Sequence, residues 1–427
     1  MVLLLRSRLR MVLVSCFIFV ISFLLLTCHD LFDEEGAVTA RPLLDRLDLT
    51  EKQCRDAFPQ YFTELDANLA RPAFKFSKSD PDYQGLVQGR IINNTLYVLT
   101  TSPTSIAQTL HQRTSTLSQI HRALLTSPVQ LPDIYFAFAV NDVPKTHAWN
   151  YARPNKDLHD DANIWLMPPF SSWSWPTKTL GDPSSILSRI EDIETSTAFT
   201  DKIDRAIWRG TPWFNPLGQP NLRKDLISAT RGQEEWADVA ALNGSNALAI
   251  EDFCRYRYVI YTEGVTYSGR LPYHQACGSV LITAPLTWRT TSALLMKPIW
   301  AAELMGAEES QKAKKGALKM VTRFEDANAI YVKPDFSDLN KLIGFLRDRV
   351  DVAETIARNQ RDMVVTQGYL SSAAETCYWR SLIRAWGKSV VVNEPEWADL
   401  KGEKYETWLL KEVSTSRTGA RGKITAL

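Results

Sequence analysis

Histidine and net charge are both scarce in this chain. Six histidines occur in 427 residues, and the formal net charge is +1. None of the histidines forms an H-x-x-x-H pair, and no cysteine spacing suits zinc, so no ready metal-ligand set exists. His111, His121, His147, His159 and His274 read as structural residues. Near-neutrality removes the electrostatic case for a nucleic-acid partner. No internal repeat is visible, which excludes a solenoid or a propeller.

The length exceeds one ordinary core, and two domains are the default expectation. Apolar content of 45% and charged content of 23% are those of a globular protein. The N-terminus departs from that average. Arg6, Arg8 and Arg10 precede a run from Met11 to Cys28 that carries no charge, long enough for a short transmembrane helix. Acidic residues Asp30, Asp33, Glu34 and Glu35 follow. The arginines stay cytoplasmic and the remainder faces a lumen. A cleaved signal peptide is the rival reading. The run is long for a signal core and no A-x-A site follows closely, which favours a signal anchor over residues 1–28. Residues 29–50 then read as a stem.

Of six cysteines, Cys16 and Cys28 belong to the apolar run. Cys54, Cys254, Cys277 and Cys377 form an even set in an oxidising compartment and allow three pairings. Cys254 with Cys277 is locally plausible, and Cys54 with Cys377 would then tie the chain's beginning to its end. Four buried thiols are the alternative. Asn93-Asn94-Thr95 and Asn243-Gly244-Ser245 are N-glycosylation sequons.

Apolar residues Ile106, Leu110, Leu117, Ile120 and Leu124 follow helical spacing, with Thr104 as a cap. Ile134 to Val140 reads as a buried strand with Asn141-Asp142 at its carboxyl end and Pro144 as its stop. Residues 150–185 read as a structured loop, since Pro168, Pro169 and Pro176 oppose regular pairing. AIWRGTPWFNP contains a strand ending in Arg209-Gly210, and YRYVIYTEG is another strand. SGRLPYHQA reads as a short helix, GSVLITAP as a strand, and SSAAETCYWRSLIRAW as an amphipathic helix. Strands alternating with helices predict an α/β chain with parallel sheets, whose ligands bind beyond the strands' carboxyl ends.

The chemistry-bearing residues stand at those ends. GVTYSGRLPYHQACGSVLI, Gly264 to Ile282, runs from a glycine-rich turn through a helix to a strand. Such a turn is an anion site by construction, because its amides are unpaired. Gly264 and Gly269 let the backbone approach a ligand closely. Arg270 suits a bidentate phosphate contact. An ordinary strand-to-helix turn is the plainer reading. Arg209 and Thr211, with Arg223 downstream, can compensate a leaving anion, or can simply pair on the surface. Asp142 suits a general base beside an aromatic loop, or an Asx turn before proline. Trp173 and Trp175 in SSWSWP offer indole faces for sugar rings, or pack a domain junction.

Taken in order, the strand ending in Asn141-Asp142-x-Pro144, then SSWSWP, WRGT with Arg223, EDFCRYRYVIYTEGVTYSGR with CGSVLI, and TCYWRSLI resemble the luminal glycosyltransferases of family 90. That family comprises protein O-glucosyltransferases of the Rumi type and fungal capsule-associated xylosyltransferases. The resemblance spans Asp133 to Trp386. It implies a GT-B architecture: an acceptor-side Rossmann-like domain over 51–185, completed by a helix at 371–390, facing a nucleotide-sugar domain over 186–370, with a polar tail at 391–427. It implies inverting transfer of glucose or xylose from UDP-glucose or UDP-xylose to a hydroxyl of a glycan or glycoprotein, with no D-x-D-bound metal and no resident cofactor. Asp142 matches the family's base. Thr211, Arg223, Val265, Thr266, Tyr267, Ser268, Gly269 and Arg270 match donor-binding positions. Trp173, Trp175 and Arg209 are candidate sugar or acceptor contacts. Cys254–Cys277 and Cys54–Cys377 match family disulfides. The chain departs from the pattern at Asn141, where relatives commonly carry a basic residue, and in lacking a cysteine-framed acceptor motif near the N-terminal helix. The membrane anchor, with KITAL in place of a KDEL-type signal, points to a type II protein of the Golgi or endoplasmic reticulum. Asp80-Pro81-Asp82 matches D-x-D only formally, with no strand before it. A silent nucleotide-sugar-binding protein is the alternative, and a glycoside hydrolase using Asp142 with Glu263 a further one.

Overall fold

The computed structural model describes residues 44–80, 82–155, 163–177, 180–306 and 320–412. The Met11–Cys28 segment and His159 lie outside the described residues, as do residues 29–43 of the stem. Among the described residues no helix is long and apolar enough to cross a membrane.

From Leu47 onward the described residues pack as one unit. Helix α1 (Glu51–Ala57) opens with a capping box, in which the Thr50 hydroxyl accepts from the Gln53 amide and the Gln53 side chain accepts from Thr50 N–H. Helix α2 (Thr63–Leu69) and strand β1 (Phe74–Phe76) follow. Strands β2 (Leu86–Ile92) and β3 (Thr95–Thr101) form a hairpin around Asn93 and Asn94, whose φ angles are 48° and 56°. Two left-handed residues make the turn whose twist matches an antiparallel ribbon, and asparagine tolerates that region. Helix α3 (Ala107–Leu125) follows, and the Thr104 hydroxyl accepts from the Ile106 amide just before it. Strands β4 (Ile134–Ala139), β5 (Ala148–Asn150), β6 (Arg153–Pro154) and β7 (Ile164–Leu166) complete the N-terminal half. Its sheet runs β3-β2-β4-β5-β7. The β4–β5 and β5–β7 pairs are parallel, whereas β2 lies antiparallel to both β3 and β4. Parallel pairing, as expected of an α/β chain, thus covers β4, β5 and β7, while β2 and β3 depart from it: a two-residue turn can join only antiparallel neighbours. The loop reading of residues 150–185 is corrected, because Ile164–Leu166 finishes as an edge strand before Pro168.

The C-terminal half begins with α4 (Pro183–Ser196), capped by the Asp182 carboxylate. Strands β8 (Ile203–Gly210), β9 (Ala237–Ala241), β10 (Tyr256–Tyr261) and β11 (Val280–Thr283) alternate with α5 (Leu222–Ala229) and α6 (Leu271–Ala276). The two-residue β12 (Trp288–Arg289), β13 (Pro298–Trp300), β14 (Ala329–Tyr331), α7 (Leu339–Asp348) and α8 (Val350–Arg361) follow. Six of these strands form an all-parallel sheet in the order β13-β14-β11-β10-β8-β9. Helices cover both faces, which is why Val259, Ile260, Leu281 and Ile282 are all buried and the strands read as unbroken apolar runs.

The chain then returns. Helix α9 (Ser372–Ser389) packs on the N-terminal half, where Trp379 Nε1 donates to Gln119 Oε1 at 3.0 Å and Trp386 Nε1 to the Tyr135 carbonyl at 2.9 Å. Strand β15 (Val390–Val392) pairs with β1, and β16 (Glu403–Lys404) adds to β3. The segment expected as a polar tail is thus structured as far as residue 412. Its Trp397, Tyr405 and Trp408 are buried, and that apolar surface repays the order. Two further links join the halves. Strands β6 and β12 pair, and the buried Glu64 carboxylate accepts from Arg153 Nε at 2.5 Å and Arg289 Nη1 at 3.1 Å.

Both disulfides pair as the resemblance implies, Cys54 with Cys377 and Cys254 with Cys277. The first spans a sequence separation of 323 and fastens α1 to α9. Replacing Cys54 and Cys377 together by serine is expected to cost about 2–5 kcal/mol of stability. Denaturant unfolding under non-reducing conditions checks this, and an unchanged midpoint would contradict it.

Candidate active site

Strand order fixes where a site can form. The chain leaves β8 for β9 on one side, then returns to β10 on the other. The carboxyl ends of β8 and β10 therefore diverge, and such a switch point leaves a crevice. Thr211 follows β8 there, and the Gly264–Arg270 turn follows β10.

Arg223 stitches the two ends together. It sits in the first turn of α5, is 4% exposed, and donates from Nε to the Glu263 carbonyl at 3.0 Å and from Nη1 to the Thr211 carbonyl at 2.9 Å. Its own amide donates to Asn215 Oδ1. Burial, with the neighbouring Arg270 charge, pushes its pKa down to about 10. Arg270 stands at the N-cap of α6 and donates to the Arg209 carbonyl. Burial lowers its pKa as well. Among the described residues no carboxylate pairs with either guanidinium. Arg209 differs, since Asp238 neutralises it at 2.6 Å.

The turn is held by one backbone bond of its own and by the Tyr261 side chain. Gly264 N–H donates to the Tyr267 carbonyl, and Ser268 N–H to the Tyr261 hydroxyl at 2.9 Å. The Val265, Gly269 and Arg270 amides have no acceptor among the described residues. A Cβ on Gly264 would meet the Tyr267 carbonyl oxygen at 2.8 Å, and one on Gly269 the Trp175 ring at 2.9 Å. The missing side chains thus make room for the protein's own atoms rather than directly for a ligand.

A cavity of about 390 Å³ brings the expected residues together. Asp142, Trp175, Arg209, Thr211, Arg223, Val265, Tyr267, Ser268, Gly269 and Arg270 all line it. Among the described residues Asp142 is the only acid in the lining. It stands exposed on the loop after β4, yet the surrounding protein removes enough solvent to raise its carboxyl pKa above the ordinary value. The arrangement sets one solvent-reached carboxylate across from two uncompensated cations. That suits a ligand with an anionic end and a reacting centre near a base.

Some expectations fall outside the cavity. Thr266 is wholly buried and does not line it, because the turn directs that side chain into the protein. Trp173 lines a separate cleft with His111 and Glu412, and the Arg122 guanidinium lies 4.8 Å above its ring. The two tryptophans of SSWSWP therefore serve different places. Glu263, the hydrolase's second carboxylate, is buried and takes three hydrogen bonds from Thr287 and Trp288. Burial pushes it up to about 7, and it does not line the cavity. Asp80 merely turns the chain by accepting from the Asp82 amide. His274 is buried beside Phe253, and burial holds it neutral. Among the described residues Glu194, Cys254 and Cys277 cluster like metal ligands, but the two sulfurs are bonded to each other. Asn93 and Asn243, the sequon asparagines, are both exposed. Sequence reasoning missed the apolar wall of Leu180, Phe214, Leu242, Leu248 and Phe253. Its one visible signal was Trp213-Phe214, two large aromatics beside proline in a loop.

Comparison with known proteins bears on the class of chemistry. The family model described as Glycosyl transferase family 90 matches residues 56–299. Protein O-glucosyltransferase 1 of Homo sapiens is 23% identical over 303 residues, covering 65% of this chain and 68% of that protein. Its counterparts in Rattus norvegicus and Mus musculus are 22% identical over the same shares. The matched span carries Asp142, Arg223 and the Gly264–Arg270 turn, and the chain belongs to glycosyl transferase family 90.

Proposed function

We propose that this glycosyltransferase moves glucose or xylose from a UDP-sugar to a hydroxyl of a glycan or glycoprotein, with inversion at the anomeric carbon. The observation that carries the reading is the shared cavity: Asp142 and the unpaired Arg223 and Arg270 line one space at the β8/β10 switch point. The two halves are read as the facing Rossmann-like domains of a GT-B enzyme, with the UDP-sugar between them.

In this mechanism the diphosphate lies against Arg223, Arg270 and the free amides of the turn. Asp142 removes the proton of the acceptor hydroxyl. The acceptor oxygen attacks C1 from the face opposite UDP, and the bond from C1 to the phosphate oxygen breaks. The guanidinium groups and amides stabilise the charge that gathers on the leaving diphosphate, which is work a bound metal ion would otherwise do. Trp175, packed on Gly269, presents its ring to the cavity as a platform for the donor. The uncharged Met11–Cys28 segment is read as a signal anchor that would place this site in the lumen of the Golgi or endoplasmic reticulum.

Thermal-shift measurement of the purified protein against UDP-glucose, UDP-xylose and other nucleotide sugars tests the reading. A ligand that binds only the folded state raises stability with the logarithm of its saturation, so UDP-glucose or UDP-xylose should stand out. No shift with any UDP-sugar overturns the proposal. A shift without UDP release across a broad acceptor panel would instead identify a silent nucleotide-sugar-binding protein.

A further inference from the structure

Nothing on the Asp142 side chain itself fixes its direction. It is exposed, and its carboxylate takes no hydrogen bond from the described residues. The loop that carries it, by contrast, is fastened at Val140, Asn141, Val143 and Lys145 to one short segment. Val140 N–H donates to the Gly85 carbonyl at 3.0 Å. Asn141 Nδ2 donates to the Gln84 carbonyl at 3.3 Å, while Asn141 Oδ1 accepts from Val143 N–H at 3.2 Å. The Tyr83 hydroxyl donates to the Val143 carbonyl at 3.2 Å, and the Lys145 ammonium lies 4.7 Å above the Tyr83 ring. Gly85 holds a φ of +76°, and a Cβ there would stand 2.6 Å from the Val140 carbonyl oxygen. On the far side, buried Asn150 accepts from Lys145 N–H at 2.8 Å and donates to its carbonyl at 2.9 Å.

Tyr83, Gln84, Gly85 and Asn141 are all absent from the cavity lining. They bracket Asp142 without touching what it faces. We infer that the Tyr83–Gly85 segment, working through the Asn141 carboxamide, is the positioning element that holds the Asp142 carboxylate over the cavity; the inference rests on Asp142 being the base. Asn141 suits the task because a carboxamide donates at one end and accepts at the other. A lysine or arginine at 141 could still donate to Gln84 but could not accept from Val143.

The test uses the whole protein with Asn141→Ala, Asn141→Ser, Tyr83→Phe and Asp142→Asn. Two measurements are made: hydrogen exchange of the peptide spanning 140–146, and UDP release from UDP-glucose and UDP-xylose with water as acceptor. Asn141→Ala should exchange faster at Val143 and lose kcat roughly 10- to 100-fold, the scale of a misplaced catalytic group. Donor KM and the thermal shift with UDP should stay as in the wild type, because the anion site is untouched. Tyr83→Phe should show a smaller loss of the same kind. Asn141→Ser should recover part of kcat, since a hydroxyl can accept from the amide two residues on. Unchanged exchange in Asn141→Ala overturns the inference, and so does faster exchange with wild-type kcat. Asp142→Asn separates this from the parent reading. Wild-type turnover there removes the base and the inference with it, whereas a dead Asp142→Asn beside a fully active Asn141→Ala removes the inference alone.

Discussion

Asp142→Asn should lower transfer about 10²–10⁴-fold, the usual contribution of a positioned general base, while the melting temperature and the response to UDP stay as in the wild type. The substitution keeps the side chain's size and removes only its basicity. Among the described residues the carboxylate takes no hydrogen bond that the change would break, and no other acid lines the cavity to replace it. The pH dependence has a definite sign. A base works only when ionised, and the solvent displaced by the protein around Asp142 raises this carboxyl's pKa. The acidic limb of kcat against pH should therefore lie above the 3.8 of an ordinary aspartate, with rate lost as pH falls through it. Wild-type turnover in the variant, measured as UDP release from a UDP-sugar with acceptor present, would remove the assignment.

Arg270→Ala carries the second large effect, about 10²–10³-fold in kcat, as for the loss of one donor to a developing charge. Without a ligand, Arg223 and Arg270 stand close with no carboxylate among the described residues to neutralise them, which helps depress Arg223 to about 10. A diphosphate relieves that repulsion. UDP should then raise the melting temperature strongly in the wild type and weakly in Arg270→Ala. Arg270→Lys should recover only part of the difference, because an ammonium is a point charge and lacks the planar fork that grips two phosphate oxygens. Arg223 is the poorer variant to test, since it also ties Thr211 to Glu263 and its loss would loosen both strand ends. An Arg270→Ala protein that binds UDP as tightly as the wild type would show that the diphosphate lies elsewhere.

Much of the site was legible because its residues follow strands directly. Arg209 and Thr211 come at the end of β8, the glycine turn just after β10, and Asp142 just after β4. Apolar runs announce such strands, so the residue types at their ends can be read for chemistry. What escaped depends on partners distant in the chain. Trp173 and Trp175 look alike in SSWSWP, yet Gly269 receives one and Arg122 stacks on the other. Thr266 looks as available as Ser268, but the turn buries it. Val390–Val392 and Glu403–Lys404 looked like tail because each is too short to declare itself without the strand it joins.

The amino-acid sequence by itself determined the alternation of strand and helix, the even cysteine set, and which charged side chains stand at strand ends. These depend on local pattern and composition, which one strand or turn carries within itself. Only the tertiary structure decided that a carboxylate from one half and two unpaired guanidinium groups from the other face the same cavity. That meeting is set by strand order and by contacts such as those of Arg223 and Tyr83, between residues far apart in the chain, and no local pattern encodes which of them will touch.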